Sequence, residues 1–352
     1  MNRSMFRTMK LLVAVLGVGL LAGCPNAARN DSIQAANKGA KEFGNKDFDN
    51  AITDYKKATE GFKENHLAWY GLGASYANRN EWAKSSDAFQ EAVQLEPDQA
   101  MYNMWYGVSL YEKAVQTARE DQARRENKKV EDVKPDLSAV PFEKPLQFLQ
   151  AATKANPDMW RAHYYLGRIY RATDKPKDAA TEFSSTIKAN PREPGPYVAL
   201  GELYRRWDYT DAAIKVVQQG TANVVGSQEV SDIWYVLGMG YDDKQMETEA
   251  IDAFTKALDS RRDNHQAQFQ RGQAYFRKGD LDKAKTDLEA FSKSSGASLD
   301  FAKQQASKML MDISAKKAGD AAPPGGAMKS PEELVNGKKG GPTGGPPPRP
   351  KK

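Results

Sequence analysis

The stretch Ala68–Asp98, AWYGLGASYANRNEWAKSSDAFQEAVQLEPD, decides the fold. Trp69, Leu72 and Tyr76 fall at helical spacing and give one apolar face of a first helix; Trp82, Phe89, Ala92 and Val93 do the same for a second. Asn78-Arg79-Asn80 supplies the turn between them, and Pro97 stops the second helix because its ring fixes φ and it has no N–H to donate. Gly73 sits where the first helix must let another helix come close. Each helix is too short to be stable alone in water, so the pair requires neighbours.

The same frame, stepped along the chain, finds those neighbours. One interval separates Gly39 from Gly73 and Gly73 from Gly107, and it recurs between Gly167 and Gly201 and between Gly238 and Gly272, so the frame yields seven copies. Twelve places after the glycine stands a small residue: Ala51, Ser85, Ala179, Ala213, Ala250 or Ala284. Sixteen after it stands an apolar one: Tyr55, Phe89, Phe183, Val217, Phe254 or Leu288. Pro97, Pro157 and Pro191 end three of the second helices.

Period and spacing resemble the tetratricopeptide repeat, most fully in repeat two (Trp69, Leu72, Gly73, Tyr76, Phe89, Pro97) and repeat six (Trp234, Leu237, Gly238, Tyr241, Ala250, Phe254). The resemblance covers residues 32–297 and implies an all-α solenoid of seven helix-turn-helix repeats, closed by a capping helix over 298–316 with Leu299, Ala302, Ala306, Met309, Leu310 and Ile313 at helical spacing. Repeat five departs from the pattern, with Gly220 and Val225 where Ala and Pro are usual and extra residues before Gly238. A looser joint is expected there.

Repeat three is interrupted. By the spacing of repeat two its closing proline belongs near residue 131, yet it stands at Pro157, so the repeat holds an insertion centred on 113–141. The charged, helix-favouring run from Lys113 to Glu131 predicts a projecting helical extension, and Pro135, Pro141 and Pro145 predict an irregular return loop, either a solvated spur or a docking arm.

Ahead of the repeats, residues 1–23 read as a targeting segment, with Arg3, Arg7 and Lys10 before the apolar run Leu11–Ala22. Leu21-Ala22-Gly23-Cys24 resembles the lipobox of bacterial lipoproteins, which implies a lipidated Cys24, a tether over 24–31 and an anchored protein. Cys24 is the single cysteine, so no internal disulfide can form. By the family's sorting rule, Pro25 rather than Asp after the lipidated cysteine places the protein on the periplasmic face of the outer membrane. At the other end, residues 317–352 are dominated by glycine, proline and lysine, a composition that cannot bury enough surface to fold and predicts disorder.

The net charge of +5 disappears once located. Residues 1–10 carry +3, and residues 319–352 carry +3 from six Lys/Arg against Asp320, Glu332 and Glu333, leaving −1 between them. A body of that charge is not a nucleic-acid binder. His66, His163 and His265 fall in repeats two, four and seven, where stacking separates them, so they cannot share a metal or a triad. No Gly-rich phosphate loop follows a strand. Neither an enzyme nor a cofactor is expected.

In the tetratricopeptide family the first helix of each repeat lines a concave groove. Stepping those positions gives a largely apolar wall in repeats one to three: Ile33, Ala36, Ala40, Phe43; Leu67, Tyr70, Ala74; Met101, Met104, Val108, Tyr111. Repeats four and five give a cationic band from Arg161, Tyr164, Arg168, Arg171, Arg205 and Arg206, with Val198 and Glu202. Repeat six turns acidic with Asp232, Asp242 and Asp243 around Tyr235 and Met239, and repeat seven offers Phe269, Gln273, Phe276 and Arg277. Ala36, Ala40, Tyr70 and Ala74 stand where some family members place a Lys/Asn carboxylate clamp, so that clamp does not transfer. The expected occupant is an extended envelope-protein segment, apolar on repeats one to three and acidic on repeats four and five. The whole resembles lipoproteins that assist assembly of secretins in type IV pili or secretion systems; an adaptor for peptidoglycan-remodelling enzymes and a subunit of a motility or outer-membrane assembly complex are the alternatives.

Overall fold

The computed structural model describes residues 27–226, 229–294 and 300–320. The 1–23 segment, Cys24 and its lipobox, Leu299 and the tail beyond 320 lie outside the described residues. Among the described residues the regular structure is helical, with no strand. The helices pair as α1 (Ala27–Gly44) with α2 (Phe48–Gly61), α3 (His66–Asn78) with α4 (Trp82–Leu95), α5 (Ala100–Glu126) with α6 (Glu143–Ala155), and α7 (Trp160–Ala172) with α8 (Pro176–Ala189). They continue as α9 (Pro194–Arg206) with α10 (Thr210–Asn223), α11 (Val230–Asp243) with α12 (Glu247–Ser260), and α13 (His265–Lys278) with α14 (Leu281–Ser292), ending in α15 (Asp300–Asp320). First helices touch the first helix of the next repeat (α1 on α3, α5 on α7, α9 on α11, α11 on α13), and no two second helices pack comparably. The ribbon therefore curves with its first helices inside. The chain is an α-solenoid.

Each pair closes on its frame glycine. A Cβ on Gly73 would lie 2.9 Å from the Phe89 ring, and one on Gly107 2.7 Å from Leu149 Cγ and 3.2 Å from the Leu149 backbone nitrogen. Leu149 lies beyond the inserted segment, far past the usual position of this contact, so the insertion leaves the helix–helix contact of repeat three intact.

A second constraint recurs seven places after the glycine, where the chain turns between helices in a left-handed conformation: Lys46, Asn80, Asp174, Asp208, Gln245 and Gly279, with φ from 54° to 87°. Glycine adopts this conformation without penalty, whereas a Cβ costs about 1–2 kcal/mol. In repeat three the equivalent residue, Ala114, continues the helix, and the left-handed residue is Asn127 (φ 50°), thirteen positions later. At 1.5 Å per residue α5 overhangs by roughly 20 Å. The return segment does not stand in solvent as a loose loop. Val133 and Phe142 are buried, Leu137 and Val140 pack on the core of repeats two to four, and the Phe142 ring stacks on Tyr111 with centroids 5.2 Å apart. The Asp136 N–H donates to Gln122 Oε1 at 3.0 Å, tying return to extension.

Joints between repeats follow three designs. Pro97, Pro157 and Pro191 serve three of them. Asn65 and Asn264 serve two others: each caps the following helix and donates to a serine, Ser32 or Ser231, which donates in turn to the carbonyl of Ala58 or Ala257. Among the described residues of the five–six joint neither device is present, and Gly226 takes φ 77°. One core nevertheless runs through it, from Phe183 through Val217 and Ile233 to Ala253. Beside this joint lies a cleft of about 530 Å³ between α10, α11 and α12, lined by Thr221, Trp234, Tyr241, Asp252 and Lys256 among others. At the end of the ribbon α15 buries Ala306 and Ile313 against Phe269 and Phe291.

Gln245→Gly is expected to raise unfolding stability by about 0.5–1 kcal/mol and Gly279→Ala to lower it by about 1 kcal/mol. Urea unfolding of the two variants measures both, and the same sign for both would contradict the turn assignment.

Candidate partner-binding groove

The apolar wall of repeats one to three divides into an open part and a closed one. Ile33 and Leu67, which occupy equivalent places on α1 and α3, are 44% and 49% exposed. Met101, the next in that series, is half-buried. Tyr70 stacks on Tyr102 at 5.2 Å and tilts against Phe89 at 5.7 Å, and burial pushes its phenol up to about 12. Met104, Val108 and Tyr111, expected on the groove surface, are instead core residues. The side chains that cover this region come from neighbouring elements: the Arg161 guanidinium lies 5.0 Å from the Trp105 ring, the Arg168 guanidinium 4.7 Å from the Tyr111 ring, and Phe142 stacks on Tyr111. Phe269 is likewise buried, with its ring centroid 4.9 Å from that of Phe291. Tyr164 and Tyr235 remain half-buried on the inner face, the latter against Phe254.

The cationic band also differs from expectation, because Arg161, Arg168, Arg171 and Arg205 are already engaged within the chain, while Arg206 is exposed. Arg161 is buried between the rings of Trp105 and Trp160, and desolvation lowers its pKa from the usual arginine value. Arg168 Nη1 donates to Glu112 Oε1 at 3.1 Å, and the Tyr165 hydroxyl donates to the same oxygen at 2.8 Å. Tyr111, Tyr164 and Tyr165 surround that guanidinium at 4.7, 5.8 and 5.1 Å, and burial raises all three phenols above their ordinary range. Arg171 donates to Glu202 at 3.3 Å, and Arg205 grips Asp243 through two nitrogens at 2.5 and 2.9 Å. The acidic patch of repeat six is used up in the same way: Asp243 on Arg205, Asp242 on Arg277, Asp232 on Arg261. Burial holds the Asp242 carboxyl above its ordinary value, with Arg277 acting against it. Opposite charges thus link repeat to repeat along the inner face, three to four, four to five, five to six and six to seven.

One asymmetry matters chemically. Arg205 holds its carboxylate through two nitrogens, while Arg168 and Arg171, three places apart on α7, each engage theirs through a single nitrogen. A guanidinium carries five N–H donors, so both retain capacity for a further carboxylate. Glu112, which holds Arg168, was not legible as a site residue. It lies at the edge of the charged run that composition marks as solvated.

Among the described residues no group of three His, Cys, Asp or Glu side chains is placed to hold a metal ion, and no helix is long and apolar enough to cross a membrane.

These features define a helical-repeat protein with a partly apolar, internally neutralised inner face. Models of the tetratricopeptide repeat match residues 66–99, residues 147–194 and 248–291, and residues 231–264, so the solenoid is built of tetratricopeptide repeats. An 87-residue stretch is 36% identical to the peroxisomal targeting signal receptor of Candida albicans; it makes up 24% of this chain and 14% of the length of that relative. The structure from the functional characterization of Pseudomonas aeruginosa PilF is similar over 69% of this chain and 96% of its own, with a TM-score of 0.50 at 16% identity. One chain in the crystal structure of the APC/C hetero-tetramer Cut9–Hcn1 is similar over 82% of this chain and 53% of its own, with a TM-score of 0.51 at 14% identity. At such identities the likeness is one of fold.

Glu112→Ala leaves a largely buried guanidinium and the Tyr165 hydroxyl without their shared acceptor, and is expected to cost about 1–3 kcal/mol. Glu202→Ala breaks an exposed pair and is expected to cost less than about 0.5 kcal/mol. Equal losses in denaturant unfolding would contradict the structural weight given to the Glu112 contact.

Proposed function

We propose that this protein is a non-enzymatic scaffold anchored to the bacterial envelope through a lipidated Cys24, on the periplasmic face of the outer membrane, and that it holds an extended segment of a partner protein along the inner face of its repeats. The observation that carries the reading is the pair Ile33 and Leu67, two large apolar side chains at matching places on adjacent first helices and each nearly half exposed. Apolar surface presented in register on a curved helical face serves a protein partner. The second contact is a carboxylate of that partner on the remaining donors of Arg168 and Arg171, rather than a long acidic stretch, since Arg205 already holds Asp243 through two nitrogens and Arg161 is buried between two tryptophan rings.

The partner class we favour is a secretin or pilus component whose assembly in the outer membrane the scaffold assists. Support for it is the combination of a lipobox-like Leu21-Ala22-Gly23-Cys24 with tetratricopeptide repeats. Peptidoglycan-remodelling enzymes and a motility or outer-membrane assembly complex are the competing partners, and deletion phenotypes separate them.

Loss of the protein is expected to deplete secretin multimers from outer membranes. Wild type restores them, whereas Ile33→Asp combined with Leu67→Asp restores less than a tenth while keeping the wild-type melting midpoint. Cys24→Ala is expected to shift the protein out of the membrane fraction. Intact multimers after deletion, with altered cell shape or lost movement in their place, would transfer the role to one of the competing partners.

A further inference from the structure

Four joints of the ribbon are fastened by the same hydrogen bond made with four different side chains. The residue four places before the frame glycine reaches back to the carbonyl six places upstream. Trp69 Nε1 donates to Lys63 O at 2.8 Å, Asn103 Nδ2 to Pro97 O at 2.6 Å, and the Tyr197 hydroxyl to Pro191 O at 2.9 Å. In the fourth, His163 Nε2 lies 2.9 Å from Pro157 O. A carbonyl oxygen only accepts, so the proton of this contact sits on Nε2.

The other ring nitrogen also meets an acceptor. His163 Nδ1 lies 2.6 Å from Glu182 Oε2 on α8. An imidazole protonated on Nε2 alone would turn the Nδ1 lone pair toward a carboxylate oxygen at that distance. Glutamate carboxyls release their proton near about 4.3 and imidazolium near about 6.5, so a proton between them resides on nitrogen. An imidazolium satisfies both contacts at once, each N–H donating to one acceptor, and the arrangement favours that form. The charged groups acting on it are Glu182 from α8 and Asp158 from the turn before α7, both acidic, and the Glu182 hydrogen bond is the largest influence raising its pKa, against partial burial.

We propose that His163 is a pH-sensitive clasp at the joint between repeats three and four: as imidazolium it fastens the α6–α7 turn to α8, and it releases when deprotonated. Tryptophan, asparagine and tyrosine make the equivalent bond in the other three joints and do not titrate near neutrality. This joint is also the one bridged by the Glu112–Arg168 pair, since α5 lies on one side and α7 on the other. The direction follows from linkage. Folding raises the pKa of His163, so its contribution is complete below the unfolded value of about 6.5 and is lost as pH rises through the higher folded value.

Nitrogen-15 spectra of the histidine-labelled full chain between about pH 5 and 9 provide the test. His163 is expected to show two protonated ring nitrogens at about pH 6.5 and to titrate above that value, and Glu182→Gln is expected to lower its midpoint. His163→Asn borrows the solution used by Asn103 and keeps the carbonyl bond without titration; the melting-temperature advantage of wild type over this variant is expected to shrink as pH rises. A neutral His163 ring at that pH, a midpoint indifferent to Glu182→Gln, or a pH-independent difference from His163→Asn would each overturn the proposal.

Discussion

The missing side chain at the frame glycine governs this protein. At Gly201 a Cβ would come within 2.4 Å of Val217 Cγ2, and at Gly238 within 2.5 Å of the Phe254 ring. The large residue of the second helix thus occupies space that any other first-helix residue would fill. Most of the helices are as short as α2, with 14 residues, or α14, with 12 residues, too short for a helix to be stable alone in water. The close approach at the glycine gives each of them a partner over its whole length. Because each repeat packs mainly on its neighbours, the same contact repeated along the chain extends the ribbon. Repeat three shows how strictly it is kept: after a long insertion the chain still returns to place Leu149 against Gly107.

The second organising interaction is electrostatic and lies on the inside of the curve. Glu112 with Arg168, Arg171 with Glu202, Arg205 with Asp243 and Asp242 with Arg277 each span two consecutive repeats. The more exposed of these pairs, such as Arg171 with Glu202, contribute little energy individually, but all of them take up guanidinium donors that a ligand could otherwise use.

The sequence carried the fold because its signals were local and repeated. The regular spacing of glycines, with a large side chain sixteen places on, reports a direct contact, and the structure places those atoms together. The inner face was less legible because exposure is a property of neighbours. Met104, Val108 and Tyr111 lie on the same stepped series of first-helix positions as Leu67 and Met101 but are buried, and over this stretch of α5 lie arginines of the following repeat, on Trp105 and Tyr111, and Phe142 from an insertion whose prolines suggest only a loop. The pairing of the arginine band was hidden for the same reason, since Glu112 and Arg168 lie far apart in the chain and on different repeats. Left-handed turns at Lys46 and Gln245 carry no local signal either. Tertiary packing holds them in a conformation their residue type disfavours.

The proposed scaffold role requires a partner to lie on the inner face of the first two repeats. A photo-crosslinking amino acid placed at Leu67, compared with one at the exposed Glu60 on the second helix of repeat one, tests it most directly in intact envelopes. A discrete crosslinked protein is expected from position 67 and none from position 60; crosslinking from position 60 with silence at 67 would contradict that placement.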